Sequence, residues 1–299
     1  MTSPVSADSR TTVVVITHNR RDQLLETLDR LAALPERPPV IVVDNASSDG
    51  TPEAVAEHHP AVTLLSPGRN LGAPGRNLGV RHARTPYVAF SDDDSWWEPG
   101  ALACAADLLD RHPRLGLLAA RVRVGPDGEP DPLNDLLAAS PLDPVADLPG
   151  PPVLGFLACA AVARRDAFLE AGGYHPIFFL GGEETLLAYD LAAHGWGVCH
   201  SPDVVAVHSP AGGVRPGRPA VQLRNAALTA WLRRPLAVAL RHTRGIAVRA
   251  RRDPEARDAL RALLERLPVA LRERRPLPAA VEEAARRLDV RGAVEGAVP

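Results

Sequence analysis

Residues 87–96 read Tyr87-Val88-Ala89-Phe90-Ser91-Asp92-Asp93-Asp94-Ser95-Trp96, an apolar strand that runs directly into three consecutive carboxylates. Three ionised Asp side chains at a strand end repel one another, so they need a cation or a row of hydrogen-bond donors. Mg²⁺ and Mn²⁺ prefer oxygen ligands and usually keep one or two protein carboxylates together with substrate phosphates. The triplet therefore indicates a divalent metal that binds with a diphosphate-bearing ligand. Taken alone, it is also typical of a solvated acidic turn that caps a helix.

The composition permits an enzyme of this kind. The chain has 299 residues, of which 45% are hydrophobic and 23% charged. A chain of this length buries roughly three quarters of its unfolded surface, enough for one large domain or one domain with an appendage. The formal net charge is −2, so we expect no nucleic-acid partner. The three cysteines are too few and too scattered for a disulfide framework or a zinc site.

The ends of the chain and its apolar runs bear on its location. Residues 1–10 are polar, carry no apolar signal core, and are expected to be disordered. No run reaches the ~18 apolar residues that a membrane span needs. These features predict a cytoplasmic protein.

The first third of the chain alternates strands and helices. Strands are predicted at 11–17, 40–43, 62–65 and 87–90, and helices at 21–34, 52–59 and 78–83. This alternation predicts a mostly parallel sheet. In such sheets ligands bind beyond the carboxyl ends of the strands, where this sequence places the polar clusters 17–20, 44–50 and 92–94.

A second acidic pair, Glu183 and Glu184, follows a glycine turn and opens a helix predicted to end at His194. Glutamate in a first turn is favoured by the helix dipole, so charge complementarity also explains the pair. Beyond Pro219 the chain is predicted to be helical and is rich in arginine, with breaks near Pro235, Pro254 and Pro276.

A near-repeat at residues 67–72 and 74–79 has the glycine content of a phosphate-binding loop. It matches neither G-x-G-x-x-G nor G-x-x-x-x-G-K-[ST]. A dinucleotide dehydrogenase and a P-loop NTPase therefore both lose their main support.

Four motifs together resemble those of family 2 glycosyltransferases in order and spacing. They are Thr17-His18-Asn19-Arg20, Val42-Val43-Asp44-Asn45-Ala46-Ser47-Ser48-Asp49-Gly50-Thr51, Asn70-Leu71-Gly72 with Arg76-Asn77-Leu78-Gly79, and Phe90-Ser91-Asp92-Asp93-Asp94. Their joint occurrence is far more specific than any one of them. The resemblance covers residues 11–225 and implies a GT-A type α/β fold, a nucleotide-diphosphate-sugar donor and an inverting transfer.

The resemblance implies roles for the residues around the donor. Asp44 matches the acid that hydrogen-bonds the base or ribose, and Thr17 and Arg20 match the loop that borders the base. Arg76 would help to hold the nucleotide. The full set of predicted nucleotide-binding residues is Thr17, Asn19, Arg20, Asp44, Asn45, Ser47, Arg76, Asp92 and Asp93.

The same resemblance implies a metal site. Asp92 and Asp94 match the outer members of the family's Asp-x-Asp motif, in which the last acid coordinates the ion that bridges both phosphates. His208 resembles a histidine found after the last strand in many relatives, although a lone histidine is more often simply packed or exposed. The predicted ligands are Asp94, Asp92 and His208, and the predicted ion is Mn²⁺ or Mg²⁺, with imidazole favouring Mn²⁺.

Glu183-Glu184 stands where the family typically has Glu-Asp. Glu184 is thus the predicted general base, with Glu183 as the other candidate. The sequence departs here, because Glu for Asp lengthens the side chain by one methylene. Trp96 and Trp97 are candidates for a stacking wall, with one of the two predicted to lie near the acceptor and buried packing as the alternative. Arg215 and Arg218 belong to the segment 209–219, whose composition suits a lid that closes on phosphates, with a flexible surface loop as the alternative.

These observations predict a doubly wound, mostly parallel sheet flanked by helices, with a helical C-terminal extension. The predicted organisation is a disordered terminus (1–10), a catalytic domain (11–225, with a nucleotide-binding half at 11–100 and an acceptor half at 101–225) and the extension (226–299).

The predicted activity is metal-dependent, inverting transfer of a sugar from a UDP, dTDP or GDP donor to an unidentified acceptor hydroxyl. The product would be a cell-surface polysaccharide, a glycolipid or a glycosylated secondary metabolite. One alternative is a sugar nucleotidyltransferase, which would want a glycine-rich loop where residues 17–21 have no glycine. Another is a catalytically silent nucleotide-sugar binding module.

Residues 231–252 hold seven arginines, no acid and interleaved apolar residues. Such a basic amphipathic stretch can lie on an anionic bilayer, which would add weak peripheral association with the inner face of the membrane. The alternative is a pair of helices packed on the catalytic domain with solvated arginines.

Overall fold

A computed structural model describes residues 8, 10–125, 128–210 and 217–295, with side chains up to Asp289. The predicted disorder at residues 1–7 and 9 falls outside these ranges. The described part forms a nine-stranded sheet with helices on both faces, followed by a helical C-terminal extension. This confirms the predicted GT-A type fold.

The N-terminal half of the sheet is parallel. Its strands are β1 (Thr11–Thr17), β2 (Val40–Asp44), β3 (Thr63–Leu65) and β4 (Tyr87–Asp92), in the order β3-β2-β1-β4. The helices between them are α1 (Arg21–Ala32), α2 (Thr51–His58) and α3 (Arg76–His82), the last preceded by a 3₁₀ turn at Ala73–Gly75. All seven predicted elements are confirmed to within two residues at each end, because β1 and β2 are buried runs rich in β-branched residues and α1 carries apolar residues at helical spacing.

The remaining strands make the whole sheet mixed. They are β5 (Ser95–Trp97), β6 (Leu115–Val124), β7 (Glu129–Pro130), β8 (Ala161–Arg164) and β9 (Gly197–His208), and they extend the order as β4-β8-β6-β9-β5, with β7 on β6. Only β6 and β9 pair in parallel here, whereas β8 is antiparallel to both β4 and β6. The parallel pairing predicted from the first third therefore extends beyond it only to the β6–β9 pair, and the pairings of β5, β7 and β8 are antiparallel.

Two apolar layers cover the faces of the sheet. Successive residues of β1 point to opposite faces, so that Val13 joins Trp97 in one layer while Val14 joins Phe90 in the other. The covering helices of the second half are α4 (Ala101–Arg111), α5 (Leu133–Ala138), α6 (Arg165–Glu170) and α7 (Glu183–Ala193). The predicted helix after Gly182 is thus confirmed as α7.

Four helices form the C-terminal part: α8 (Arg218–Arg233), α9 (Leu236–Arg249), α10 (Pro254–Arg272) and α11 (Ala279–Glu295). The predicted breaks near Pro235, Pro254 and Pro276 are confirmed. The predicted boundary between residues 225 and 226 falls inside α8. Among the described residues, no helix is both long and apolar enough to cross a membrane.

Two buried arginines hold the C-terminal helices against the rest. Arg233 donates hydrogen bonds from Nε and Nη2 to the carboxylate of Asp190 in α7, and the bond from Nη2 is 2.9 Å long. Arg234 pairs with Glu282 at 2.6 Å and with Asp289 at 2.8 Å. Both guanidinium groups are buried, so these two arginines of the basic stretch serve internal ion pairs and are not available to a membrane surface.

We expect Arg233→Met to lower the free energy of unfolding by about 3–5 kcal/mol, because it leaves the Asp190 carboxylate buried and unpaired. Arg287→Met is the matched control, since its partner Asp143 is exposed, and it should cost less than about 1 kcal/mol. Urea unfolding followed by circular dichroism measures both. Equal losses of unfolding free energy in the two variants would show that the buried Arg233–Asp190 pair stabilises the fold no more than the exposed pair does.

Candidate active site

The carboxyl ends of three strands meet at one edge of the sheet. Thr17 at the end of β1 lies opposite Asp44 of β2, and Ile16 lies opposite Asp92 of β4. The next residues, Asp93 and Asp94, form the turn between β4 and β5. The structure therefore brings together three of the predicted polar clusters.

Asp92 is held by a buried arginine. Nη2 of Arg76, the first residue of α3, donates to Oδ1 of Asp92. Burial lowers the pKa of Arg76, but the neighbouring Asp92, Tyr174 and Glu183 together outweigh this effect, so that its pKa is raised. Nε and Nη1 of Arg76 are buried and have no hydrogen-bond partner among the described residues. Arg76, predicted to hold the nucleotide, thus lies beneath Asp92 and positions this carboxylate.

Asp93 points into the protein. It accepts a hydrogen bond of 2.9 Å from Oγ1 of Thr17 and lies 3.1 Å from Nη1 of Arg20. Burial raises the pKa of Asp93 to about 6, an effect that the Arg20 charge only partly offsets. Asp93 thus fixes Thr17 and Arg20 in the loop predicted to border the base.

Asp94 is compensated on both sides. Its Oδ2 accepts a hydrogen bond of 3.0 Å from Nη1 of Arg20, and its Oδ1 lies 3.5 Å from Nε2 of His208. Burial alone would raise the pKa of Asp94, but His208 and Arg20 together lower it. Conversely, burial would lower the pKa of His208, but Asp94 raises it. His208 lies opposite Ser95 where β9 pairs with β5, which explains how a residue distant in sequence reaches the triplet.

These groups fit a metal ion that is shared with a substrate. In the part of the chain that the structure describes, no three His, Cys, Asp or Glu side chains form a complete metal site. Asp94 and His208 offer one oxygen and one nitrogen ligand, whereas Asp92, the third predicted ligand, is paired with Arg76 and does not complete a cluster with them. An ion bound by one or two protein ligands takes the rest of its shell from water and phosphate oxygens.

Two loops interlock at the predicted base pocket. Asp44 accepts hydrogen bonds of 3.2 Å from the backbone N–H of Ser47 at both carboxylate oxygens. Oγ of Ser47 accepts a bond of 2.8 Å from the N–H of Asn19, whose side chain accepts 2.7 Å from the N–H of Ser48. These contacts join the β1–α1 and β2–α2 loops into one wall, with Asp44 at its base.

The nucleotide-binding half contacts the segment of the acceptor half that leads to α7. Asn45 accepts a hydrogen bond of 3.2 Å from the N–H of Leu71 and donates one of 3.2 Å to the carbonyl of Gly72. Gly72 has a φ of +63°, and a Cβ there would lie 2.1 Å from the carbonyl oxygen of Phe179. The N–H of Ala73 donates to that same carbonyl at 2.8 Å. A glycine is therefore required where the two halves meet.

The two glutamates begin α7 after Gly181 and Gly182, both in the left-handed region. The side-chain amide of Asn225, on α8, donates to the carbonyl of Leu180 at 3.0 Å and also to that of Gly181. Asn225 was missed in the sequence, since an asparagine within a helix gives no signal that it anchors a distant turn.

Burial dominates the electrostatics of Glu183 and Glu184. It raises the pKa of Glu183, whose Oε2 is buried without a hydrogen-bond partner among the described residues. Burial and the Glu183 charge raise the pKa of Glu184 to about 7. The charges of Arg76 and Asp92 act on both pKa values, so the glutamates lie within electrostatic range of the triplet. Such a carboxyl can take up a proton near neutral pH.

The predicted acceptor and lid residues fare differently. Trp97 is buried in one of the two core layers, which is the alternative that the sequence left open, because its place in β5 turns the side chain towards α1 and α4. Trp96 is partly buried, and the guanidinium of Arg30 covers its ring at 4.1 Å. Arg218 is exposed at the start of α8, whereas Arg215 and most of the predicted lid, residues 211–216, lie outside the described residues.

We expect Asp93→Asn and Asp94→Asn to differ in stability at pH 8 with metal chelated. Because the pKa of Asp93 is raised to about 6, the folded state binds more protons than the unfolded state, and stability falls as the pH rises through this range. Asp94 has a lowered pKa, so its ionised form stabilises the fold above the ordinary carboxyl pKa, and this contribution is lost on acidification.

Asp93→Asn should therefore leave the unfolding midpoint at pH 8 unchanged or raise it, whereas Asp94→Asn should lower it. Urea titrations at pH 5 and pH 8 measure both effects. A loss for Asp93→Asn as large as that for Asp94→Asn at pH 8 would refute this assignment of charge.

Comparison with known proteins agrees with this geometry. Residues 12–172, more than half of the chain, match the family model for glycosyl transferase family 2. The chain is 29% identical over 233 residues to an N-acetylglucosaminyl-diphospho-decaprenol L-rhamnosyltransferase of Mycobacterium tuberculosis, an alignment that covers 67% of this chain and 76% of the relative.

Solved structures show the same fold. A mannosyltransferase from Pyrobaculum calidifontis in complex with GDP-Man and Mn²⁺ is 25% identical, with a TM-score of 0.57, 100% of this chain covered and 85% of that one. TarS 1-349 of S. aureus in complex with UDP-GlcNAc is 20% identical, with a TM-score of 0.58 and coverage of 93% and 92%. The chain belongs to glycosyl transferase family 2.

Proposed function

We propose that this glycosyltransferase transfers a sugar from a nucleotide-diphosphate donor to an acceptor hydroxyl, with inversion and with the help of a divalent metal. The observation that carries the proposal is the aspartate triplet at the edge of the sheet. Each of its carboxylates has a cationic partner, and two glutamates with raised pKa values lie within electrostatic range. A charged donor site and a proton acceptor are thus combined.

The donor nucleotide would lie on the wall formed by the β1–α1 and β2–α2 loops. Asp44, at the base of this wall, would accept hydrogen bonds from the base or ribose, with Thr17, Asn19 and Ser47 as further nucleotide-binding residues. Asn45 supports the wall from the side of Gly72. Solved relatives carry GDP-Man or UDP-GlcNAc, which supports a UDP, dTDP or GDP donor here.

Asp94 and His208 would hold Mn²⁺ or Mg²⁺ when the donor binds, and Asp92 would join them only by leaving Arg76. The ion would supply Lewis-acid stabilisation of the negative charge that grows on the departing diphosphate. Arg20 orients Asp94 from the opposite side through its 3.0 Å hydrogen bond. The relative with GDP-Man also holds Mn²⁺, which supports this choice of ion.

Glu184 is the proposed general base. The acceptor oxygen attacks the anomeric carbon while the bond from that carbon to the diphosphate oxygen breaks, and the acceptor proton passes to the Glu184 carboxylate. A single displacement of this kind inverts the anomeric centre. A base with a pKa of about 7 is well matched to this step, because it is partly ionised near neutral pH and still basic enough to accept the proton.

The name of one relative supports a class of acceptor for this chain. The Mycobacterium tuberculosis relative is named for an acceptor sugar on a polyprenyl diphosphate. We propose a lipid-linked or cell-surface saccharide acceptor for this chain as well, displayed at a membrane surface.

We expect Glu184→Gln to lower kcat by ~10² to 10⁴-fold while donor affinity stays unchanged, because the amide keeps the shape but cannot accept the proton. In the wild type, kcat should rise as the pH increases through about 7, since the base must be ionised. Steady-state kinetics with the nucleotide sugar that supports turnover provides both measurements.

Glu183→Gln is the matched comparison, because it changes the neighbouring carboxyl in the same helical turn. A larger loss of kcat for Glu183→Gln would move the base assignment to Glu183. A parallel loss of donor affinity and turnover in Glu184→Gln would contradict a role as the base.

A further inference from the structure

One surface outside the active site combines exposed aliphatic side chains with a dense positive charge. It lies on α9 and the turn that follows. Leu236, Leu240 and Val248 are 53%, 57% and 52% exposed. The opposite side of α9 is buried through Val238, Ala239 and Ile246, which pack in the apolar core of the C-terminal helices. We call the outward side the α9 face.

Arginines alternate with these aliphatic residues. Leu236, Leu240, Arg244 and Val248 recur every four residues and therefore follow one stripe of the helix. The exposed arginines of α9 and the turn that follows are Arg241, Arg244, Arg249, Arg251 and Arg252, of which Arg241 and Arg244 share the side of the helix that carries Leu240 and Val248. None of these five has an acidic partner within salt-bridge distance among the described side chains, unlike Arg233 and Arg234.

The surrounding sequence strengthens this positive charge. Between Asp203 and Asp253 the chain contains no Asp and no Glu. The whole chain nevertheless carries a formal net charge of −2, so the positive potential is local to this part of the molecule. Arginines that serve only solubility require neither the absence of acidic residues from this stretch nor exposed leucines beside them.

From this pattern we infer that the α9 face is a docking surface for an anionic lipid bilayer. A bilayer interface accepts aliphatic side chains and arginines on the same helix face, the former among the acyl chains and the latter against anionic headgroups. A nucleic acid would use the arginines but leave Leu236 and Leu240 in water. A second copy of the chain, related by twofold symmetry, would bring these arginines, which lack salt-bridge partners, against one another.

Such docking would bring the catalytic domain to the surface on which a lipid-linked acceptor lies. The inference does not require that acceptor, because it rests on the α9 face alone. The basic stretch at residues 231–252 thus has two parts. Arg233 and Arg234 hold the helices together, and the later arginines are exposed.

Sedimentation with lipid vesicles tests the inference. We expect the protein to sediment with phosphatidylcholine:phosphatidylglycerol vesicles in 50 mM NaCl, and not with phosphatidylcholine alone or in 500 mM NaCl. Replacing Arg241, Arg244, Arg249 and Arg251 together by Gln should weaken binding at least tenfold. Leu236→Gln with Leu240→Gln should also weaken it, which pure charge attraction would not explain.

The matched control replaces four exposed arginines of the catalytic domain, Arg81, Arg84, Arg111 and Arg114, by Gln. It makes the same change of net charge and should alter vesicle binding less than twofold. Donor hydrolysis without vesicles should be unchanged in the α9 variants, which separates this inference from the proposed activity.

Several outcomes would overturn the inference. These are no sedimentation with anionic vesicles, an equal loss in the control variant, tighter binding to a DNA duplex at the same salt concentration, or a dimer in solution that the α9 variants dissociate.

Discussion

Three successive carboxylates at the end of β4 repel one another, and the structure provides partners for them from three separate elements. Arg76 comes from the start of α3, Arg20 from the loop after β1, and His208 from the end of β9. These partners span both halves of the sheet, so satisfying the triplet also fixes how the halves meet. Without these partners, the neighbouring carboxylates would raise one another's pKa values. The pKa of Asp93 is raised mainly by burial and in part by the charges of Asp94 and Asp92.

Helix α7, which carries the proposed base, depends on the same arrangement and on the C-terminal helices. Gly72 and Ala73 contact the carbonyl of Phe179 on one side of the segment before α7, and Asn225 holds the glycine turn from the other. Arg233 then grips Asp190 within α7 itself. The C-terminal helices therefore belong to the support of Glu183 and Glu184, and a boundary at residue 225 would cut through that support.

Local patterns predicted much of this molecule. The β-branched strands, the helices of the first third and the acidic edge follow from periodicity and from residue types that occur close together in the sequence. Contacts between residues far apart in the sequence could not be predicted in this way. Nothing in the sequence shows that Trp97 lies in the core, that Arg76 is buried beneath Asp92, or that Arg233 serves an ion pair, because each outcome depends on a partner far along the chain.

The central claim is that the triplet is a donor site at which metal and nucleotide diphosphate bind together. Isothermal titration of UDP, dTDP and GDP, with Mn²⁺ and with EDTA, tests it most directly. The account predicts that at least one nucleotide binds tenfold or more tightly with Mn²⁺, and that Asp94→Ala abolishes this gain while the protein stays folded. Equal affinity with EDTA, or an undiminished Mn²⁺ effect in Asp94→Ala, would contradict it.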